Sequence, residues 1–272
     1  MKIKSEEMKR KFEEIKEYYG PSGPSEKQYN AIMNDEVFEL EETNDREIIN
    51  LLKTRSDEIG DQKSEKWLKW REGLMTGSDI SKLFINHRTP IEHAQADLIN
   101  SKLGLGHSFE GNEYTRHGNF YESTACEKYS SKYTYEVTSF NGLEHKTCKY
   151  LGMSPDGVVF KMDENDNIES IILVEIKCPF KRVIDGKISK PYRYQCQLGM
   201  EILTSWFPDI PIMTSDFVEF KPENFGYCDE EILLITSILY DYLIGEQMVI
   251  KSTEFFERIE PLKHLDHDRI LE

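Results

Sequence analysis

The sequence predicts a mixed α/β fold, in which a central β-sheet is flanked by helices and preceded by a helical extension. A hydrophobic fraction of 38% and an aromatic fraction of 11% supply enough apolar side chains for a packed core. Apolar spacing is helical as far as Tyr133, and short β-branched or aromatic runs separated by turns follow it. A length of 272 residues suits one large domain or two small ones.

The N-terminal part of the chain is predicted to be helical. Residues 1–19 combine helical spacing with strong helix formers, and GPSGPS at 20–25 forms a linker because its prolines and glycines break a helix. A second helix is predicted over 35–58 from its apolar positions. We therefore expect residues 1–60 to form a helical extension with a linker, and residues 61–272 to form the main domain.

Four helical stretches are predicted between this extension and the sheet. The first begins near Ser64, and a short one begins at Ser78, whose hydroxyl suits the N-cap position. Pro90 starts a third helix that ends near Leu103, and a fourth covers Glu113–Tyr133 after a glycine-rich loop.

The sheet is predicted from short runs with the composition of strands. These runs are Tyr135–Phe140, Tyr150–Met153, Val158–Lys161 and Ile171–Ile176. The rest of the chain is predicted as a helix over Tyr192–Leu203, a strand over Asp216–Phe220 and an amphipathic helix over Asp229–Ile244.

The charge and composition of the chain limit the binding partners and the cellular compartment that we expect for the protein. The net charge is −16, which disfavours a polyanion over most of the surface, but Lys177–Arg193 holds six basic residues and one acidic residue. No apolar run approaches the roughly 18 residues of a membrane span, and the first residues lack the apolar segment of a secretory signal. We expect no membrane partner and an intracellular, reducing compartment, where the five cysteines are free thiols.

Two carboxylates and a lysine form the pattern with the clearest chemistry. Asp156 lies in a strand-to-strand bend, and Glu175 and Lys177 lie near the end of the next strand on one face, because they are two positions apart. Such oxygen ligands suit Mg²⁺ or Mn²⁺, and a metal beside a lysine can promote phosphodiester hydrolysis. Each carboxylate alone is more often structural, but the pairing is far less common.

Five sequence blocks extend this pattern. They are WREGLMTGSDI at 70–80, NEYTRHGNFYES at 112–123, GMSPDGVV at 152–159, VEIKCPF at 174–180 and YQCQLGM at 194–200. In order and spacing they resemble the YqaJ-like viral recombinase family, the lambda-exonuclease type of PD-(D/E)XK nuclease. The resemblance covers about Trp67 to Leu203. It implies a restriction-endonuclease-like core and a 5′-to-3′ exonuclease on double-stranded DNA, which leaves 3′ single strands for viral recombination or replication.

The resemblance also implies a metal site. Asp156, Glu175, the Ile176 carbonyl and Glu122 would hold Mg²⁺, as two ions for which Mn²⁺ can substitute. Lys177 would be the catalytic lysine. A lone glutamate on a surface helix is usually solvated, so the assignment of Glu122 depends on an inward orientation.

Further matched residues would belong to the catalytic site or contact the DNA. Gln195 would be the catalytic glutamine, the first of the YQCQ block. It and Gln197 are two apart and cannot share a helix face, and the family position favours Gln195. Arg71 and Ser78 would hold the terminal 5′ phosphate, since a helix N-terminus and a bidentate guanidinium both suit an anion. The alternative is a structural role only, in which Ser78 caps a helix and Arg71 is solvated on a helix surface.

The basic stretch and the implied partners complete the hypothesis. Lys181, Arg182 and Arg193 would contact the DNA backbone. The partners would be double-stranded DNA with a free end, a single-strand annealing protein and, in a ring-shaped trimer, further copies of the chain. A viral protein of this kind would act in the host cytoplasm or nucleus.

Other interpretations are weighed against this one. An endonuclease or an RNA-degrading nuclease on the same fold would use the same carboxylates, whereas a non-catalytic DNA-binding module would lack them. DENDN at 163–167 is predicted to be a hairpin turn rather than a calcium loop, because Ile168 replaces the required glycine. His264 and His267 lack a third ligand and are predicted to lie on a solvated terminal helix.

Overall fold

A computed structural model describes residues 44–84, 91–105, 111–165, 167–210, 212–225 and 229–264. The helices are α1 (Asp45–Ile59), α2 (Glu65–Glu72), α3 (Ile91–Lys102), α4 (Glu113–Tyr133), α5 (Lys190–Trp206) and α6 (Tyr242–Ile259), with short 3₁₀ segments at Ile80–Leu83 and Glu260–His264. The strands are β1 (Leu143–Glu144), β2 (Gly152–Met153), β3 (Gly157–Met162), β4 (Ile168–Lys177), β5 (Ile212–Lys221) and β6 (Ile232–Leu239).

The central sheet has the order β3-β4-β5-β6. β4 pairs antiparallel with β3 and parallel with β5, and β5 pairs antiparallel with β6. The parallel pair requires a crossover, which α5 provides between β4 and β5. A separate pair, β1-β2, is antiparallel.

The core lies on both faces of β4, which is why this strand is almost entirely buried. Ile171 and Leu173 pack into the larger apolar cluster, which includes residues of α5 and α6. Ile172 and Val174 project the other way into a smaller cluster that includes Tyr129 of α4. Because side chains alternate along a strand, two clusters on β4 follow from its continuous apolar sequence.

Several predicted elements are confirmed. The fourth helix has the predicted bounds, Glu113–Tyr133, and begins where the Asn112 side chain accepts a hydrogen bond from the Thr115 amide. The helix predicted to begin near Ser64 does so, and Ser64 caps it through the Trp67 amide. In the predicted hairpin turn, the Asp163 carboxylate accepts from the amides of Asn165 and Asn167, both at 2.8 Å.

Other predicted elements are wrong. The helix predicted over Asp229–Ile244 is replaced by β6 at Ile232–Leu239, because this β-branched run pairs with β5 along the sheet edge. The last long helix begins later, after Asp241 caps it. Tyr135–Phe140 is not a strand and contributes one isolated bridge, from Thr138 to Val158.

The cap predicted at Ser78 is also wrong, because Asp79 precedes the 3₁₀ segment and no side chain caps it. The helix predicted over 1–19 and its linker lie outside the described residues. The unit that is described begins at Asn44, and Ile49 and Leu52 of α1 belong to its apolar core. None of the described helices is long and apolar enough to cross a membrane. The described cysteines, at 126, 148, 178 and 196, are free thiols.

Candidate active site

The β3-β4 register places two of the predicted carboxylates together. Gly157 pairs with Val174, so Asp156, which precedes β3, lies beside the end of β4. The Asp156 Oδ2 accepts a hydrogen bond of 2.6 Å from the Ile176 amide. Glycine is needed at 157, because a Cβ there would lie 2.3 Å from a methyl group of Val137.

Glu175 and Lys177 form the second part of the site. Glu175 is fully buried, and its Oε1 accepts a hydrogen bond from the Lys177 ammonium. The Lys177 Nζ also donates to the Ile176 carbonyl at 3.0 Å, and it lies 5.5 Å from the centre of the Tyr192 ring. The Glu175 Oε2 is buried and has no hydrogen-bond partner among the described residues. A buried carboxylate oxygen without a donor is costly unless a cation compensates it.

Glu122 of α4 interacts electrostatically with Asp156 and Lys177. Burial raises the pKa of the Glu122 carboxyl, and the negative charge of Asp156 raises it further. Burial also raises the pKa of Asp156, against the opposing charge of Lys177. The pKa of Glu175 is raised to about 8, mainly by burial and in part by the charge of Asp156. The structure therefore brings Glu122, Asp156, Glu175 and Lys177 into one electrostatic cluster, called here the acidic site.

Lys177 keeps its charge in this cluster. Burial alone would lower the pKa of Lys177, but the negative charges of Glu175 and Asp156 raise it above its ordinary value. The lysine therefore remains an ammonium at neutral pH. It contacts Glu175 and the Ile176 carbonyl, which are both predicted ligand atoms.

The donor set of the acidic site fits a hard divalent cation. Asp156, Glu175 and the Ile176 carbonyl offer oxygen atoms at adjoining strand ends, and a cation would satisfy the Glu175 Oε2, which no described residue hydrogen-bonds. Glu122 does not join them in a closed cage: across the described residues, no three His, Cys, Asp or Glu side chains are placed so that they could hold a metal ion.

Arg71 and Ser78 lie in a second cluster, the phosphate socket, defined by Arg71, Thr76 and Ser78. The Arg71 Nη2 donates to the Ser78 hydroxyl at 3.2 Å and to the Thr76 hydroxyl at 3.1 Å. Its guanidinium lies 4.5 Å from the centre of the Trp67 ring. Among the described residues, no carboxylate forms a direct ion pair with Arg71, although the negative charge of Asp79 is near enough to act on its pKa. Burial lowers the pKa of Arg71, whose charge nevertheless persists at neutral pH.

Ion pairs that the sequence did not predict support the socket. Asp79 accepts from Thr76 at 3.0 Å and pairs with Lys102 and Lys82, each at 3.0 Å. The Lys102 side chain is only 5% exposed and also donates to the Arg71 carbonyl. Lys102 ends a helix that the sequence did predict, but nothing in its local pattern indicates a buried ion pair.

Trp67 connects the socket to the acidic site. Its Nε1 donates to the Ser154 hydroxyl at 2.9 Å and to the Asn141 carbonyl at 3.0 Å. Ser154 lies in the same SPDG turn as Asp156. The tryptophan that carries Arg71 on its face is thus hydrogen-bonded to the turn that carries a predicted metal ligand.

The two candidate glutamines have different surroundings. Gln197 is buried, donates to the Leu239 carbonyl and accepts from the Asp241 amide, both at 2.8 Å, so it joins β6 to α6. Gln195 is half-buried and packs on Gly77, where an added Cβ would lie 2.9 Å from the Gln195 Cγ. Gln195 therefore lies next to the socket, beside Ser78.

The three residues predicted to contact the DNA backbone differ in their protein partners. Lys181 and Arg193 are exposed, and the Lys181 ammonium lies 5.2 Å from the centre of the Tyr114 ring. Arg182 forms an ion pair of 2.6 Å with Glu219, which is fully buried. Arg182 thus has a structural partner in addition to its predicted role at DNA.

Comparisons with known proteins bear on the fold and family. A family model of the YqaJ-like viral recombinase domain matches residues 66–205. The uncharacterized protein R354 of Acanthamoeba polyphaga mimivirus is 31% identical over 173 residues, which are 61% of this chain and 30% of that protein. The chain thus spans about a third of the length of this curated relative.

Solved structures agree with the predicted fold. The alkaline exonuclease LHK-Exo from Laribacter hongkongensis aligns with a TM-score of 0.56 and 21% identity, over 74% of this chain and 94% of that one. Its complex with dAMP aligns with a TM-score of 0.55, the same identity and the same coverage. This likeness confirms the predicted PD-(D/E)XK-type fold with a mixed sheet.

Proposed function

The chain belongs to the YqaJ-like viral recombinase family, and from this membership we propose that it is a metal-dependent nuclease that degrades double-stranded DNA from a 5′ end. The observation that carries the proposal is the fully buried Glu175, which lies in a cluster with Asp156 and Lys177 and whose Oε2 has no hydrogen-bond partner in the part of the chain that the structure describes. Burial of two carboxylates at one point costs free energy, and a bound cation would recover it.

In the proposed reaction, Asp156, Glu175 and the Ile176 carbonyl would hold Mg²⁺, for which Mn²⁺ could substitute, and Glu122 would add charge for a second ion. When bound, Mg²⁺ supplies Lewis-acid stabilisation of the phosphate and lowers the pKa of a water molecule. Lys177 would keep its proton and donate a hydrogen bond to a phosphate oxygen or to the attacking water, as its raised pKa allows.

The phosphate socket supports end recognition within this proposal. Arg71 presents a guanidinium beside the exposed hydroxyl of Ser78, which together can bind a terminal phosphate. Trp67 links this cation to the turn of Asp156, so a 5′ phosphate in the socket would fix the strand relative to the acidic site. Gln195 lies next to Gly77, beside the socket, and would position the strand.

DNA is the proposed substrate because the aligned LHK-Exo is an alkaline exonuclease that has been crystallised with dAMP. Exposed Lys181 and Arg193 would contact the backbone, and the exposed part of Arg182 would contribute. We also propose, from the family, an annealing protein as partner, a ring of three chains and a role in viral recombination or replication.

The test uses one plasmid in two forms, linearised with 5′-phosphate ends and covalently closed circular, together with an RNA of the same sequence. With Mg²⁺, an exonuclease degrades the linear form progressively from its 5′ ends. A chelator and the Asp156→Asn variant should each abolish this loss. Cleavage of an intact closed circle would indicate the endonuclease alternative. Degradation of RNA but not DNA would indicate the RNA-degrading alternative.

A further inference from the structure

A cavity of about 400 Å³ lies outside the acidic site, against a different face of α2 from the socket. Its polar and aromatic lining comprises Arg55, Glu58, Lys66, Trp70, Glu144 and Trp206. Lys66 and Trp70 are one helical turn apart and share a face of α2, whereas Trp67 and Arg71 share the adjoining face that forms the socket. The helix therefore separates the two features.

The aromatic rings of the cavity are held in place by their own hydrogen bonds. The Trp70 Nε1 donates to the Glu144 carboxylate at 2.6 Å, and the Trp206 Nε1 donates to the Glu144 carbonyl at 2.8 Å. Trp70 also packs directly on the backbone at Gly142, where a Cβ would lie 2.6 Å from the ring. The half-buried Trp70 thus offers a rigid ring surface to the cavity.

Positive charge lies at the same place. The Arg55 guanidinium is 5.1 Å from the centre of the Trp206 ring, and Lys66 is exposed on the cavity lining. Neither cation forms an ion pair with a carboxylate of the described residues. Glu58 and Glu144 balance these two cations, so the cavity lining is formally neutral in a chain whose net charge is −16.

We propose that this cavity binds an unpaired nucleotide of a DNA strand, with the base against Trp70 and its phosphate between Arg55 and Lys66. Base stacking on an aromatic side chain combined with cationic contacts to phosphate is how proteins hold single strands without reading a sequence. The volume suits one nucleotide. The Glu58 and Glu144 carboxylates can accept hydrogen bonds from the amino group of adenine.

The proposal rests on the proposed function only in taking DNA as the substrate. Degradation of one strand from its 5′ end leaves the complementary strand unpaired. A nucleotide site on the face of α2 that adjoins the socket would hold that strand near the end that is being degraded.

The experiment measures binding of a single-stranded, 5′-hydroxyl oligonucleotide of twelve deoxyadenylates with a 3′ fluorescent label. A chelator prevents hydrolysis, and the 5′-hydroxyl end removes the terminal phosphate that the socket would bind. The full chain is compared with Arg55→Gln/Lys66→Gln and with the matched Lys53→Gln/Lys69→Gln. The matched pair removes the same charge from exposed positions of the same helices but lies outside the cavity lining.

Loss of the single phosphate contact should lower the slope of log affinity against log salt by about 0.7, because each neutralised phosphate of a single strand contributes roughly that amount. If affinities are equal at 1 M salt, this change of slope corresponds to roughly fivefold weaker binding at about 0.1 M. The lining pair should show this loss, and the matched pair should stay within about twofold of the wild-type chain. Equal losses of affinity in both double variants would overturn the proposal, because they would indicate that the overall electrostatic potential of the protein, and not this cavity, determines the binding.

Two further measurements separate the possible occupants. Oligonucleotide binding should quench tryptophan fluorescence, and Trp70→Leu should remove most of the quenching, with folding checked by circular dichroism. Free dAMP should not displace the oligonucleotide at equal nucleotide concentration. Full displacement by dAMP would overturn the assignment to a strand. Because neither the binding nor the quenching measurement needs hydrolysis, failure of the proposed nuclease activity and failure of this site are distinguishable.

Discussion

Removal of the Arg71 charge should erase any preference for a 5′-phosphorylated end. The Arg71 Nη2 is hydrogen-bonded to the Ser78 and Thr76 hydroxyls at 3.2 and 3.1 Å, and its guanidinium lies over Trp67. A terminal phosphate could bind on this guanidinium and accept from Ser78. In Arg71→Gln, the hydrogen-bonding capacity is partly kept, but the charge is lost.

The size of the effect follows from the contact that is lost. A hydrogen bond to a charged group contributes about 1.5 to 3 kcal/mol, and Arg71 is partly buried, so solvent screens it incompletely. Since about 1.4 kcal/mol corresponds to tenfold in rate, the phosphate should accelerate degradation by roughly tenfold to a hundredfold in the wild-type chain. Arg71→Gln should bring that ratio close to one.

The assay compares initial rates on blunt duplexes that differ only in the 5′ group, at DNA concentrations below saturation. Lys69→Gln is the matched control, because Lys69 is an exposed cation on the same helix. The control should keep the wild-type ratio. A ratio near one in the wild-type chain, or an unchanged ratio in Arg71→Gln, would refute the socket.

Three other substitutions test the surroundings of the site. Asp79→Asn leaves the buried Lys102 ammonium without its carboxylate and should lower the free energy of unfolding by about 3 to 5 kcal/mol near neutral pH in urea titrations. Burial alone would raise the pKa of Asp79, but the charge of Lys102 holds it below its ordinary value, so this stabilisation should be lost as pH falls below about 4. Lys177→Ala should lower turnover by at least about a hundredfold in single-turnover assays, while the Kd for DNA rises by no more than about fivefold, because one cation is a small part of phosphate affinity. Gly77→Ala should destabilise the fold by about 1 to 3 kcal/mol in thermal unfolding, since the new Cβ meets Gln195 at 2.9 Å, and Gln195→Ala added to it should restore most of the loss.

Each of these results has an outcome that would contradict it. An Asp79→Asn chain as stable as the wild type at neutral pH would mean that the ion pair with Lys102 contributes nothing. If Lys177→Ala weakened binding as much as turnover, the lysine would be a binding residue only. Additive effects of Gly77→Ala and Gln195→Ala would show that the two side chains do not compete for space.

The sequence predicted the elements whose signals are local. The helix over Glu113–Tyr133 has a capping asparagine and helical spacing, and the structure gives it the same bounds. The hairpin that brings Asp156 beside the end of β4 follows from strand composition on both sides of a turn at Asp163. Because the alternation of a strand fixes which residues share a face, the two-residue spacing alone places Glu175 and Lys177 together.

The sequence failed where distant pairing decides the structure. Ile232–Leu239 has apolar spacing that also suits a helix, and only its hydrogen bonding to β5 makes it a strand. The pair of Asp79 and Lys102 joins a loop to the end of another helix, so no local pattern could indicate it. The contact of Arg182 with buried Glu219 was missed for the same reason.

The central claim is that Glu175, Asp156 and Lys177 form a metal-dependent hydrolytic site, and one measurement tests it most directly. Hydrolysis of linear 5′-phosphorylated duplex with Mg²⁺ is compared between the wild-type chain and Glu175→Gln, which keeps the size of the side chain but removes its charge. We expect a loss of at least about a thousandfold in turnover, with the fold retained in circular dichroism, because the substituted amide oxygen can still accept a hydrogen bond from Lys177. Wild-type turnover in a folded Glu175→Gln chain would contradict this claim.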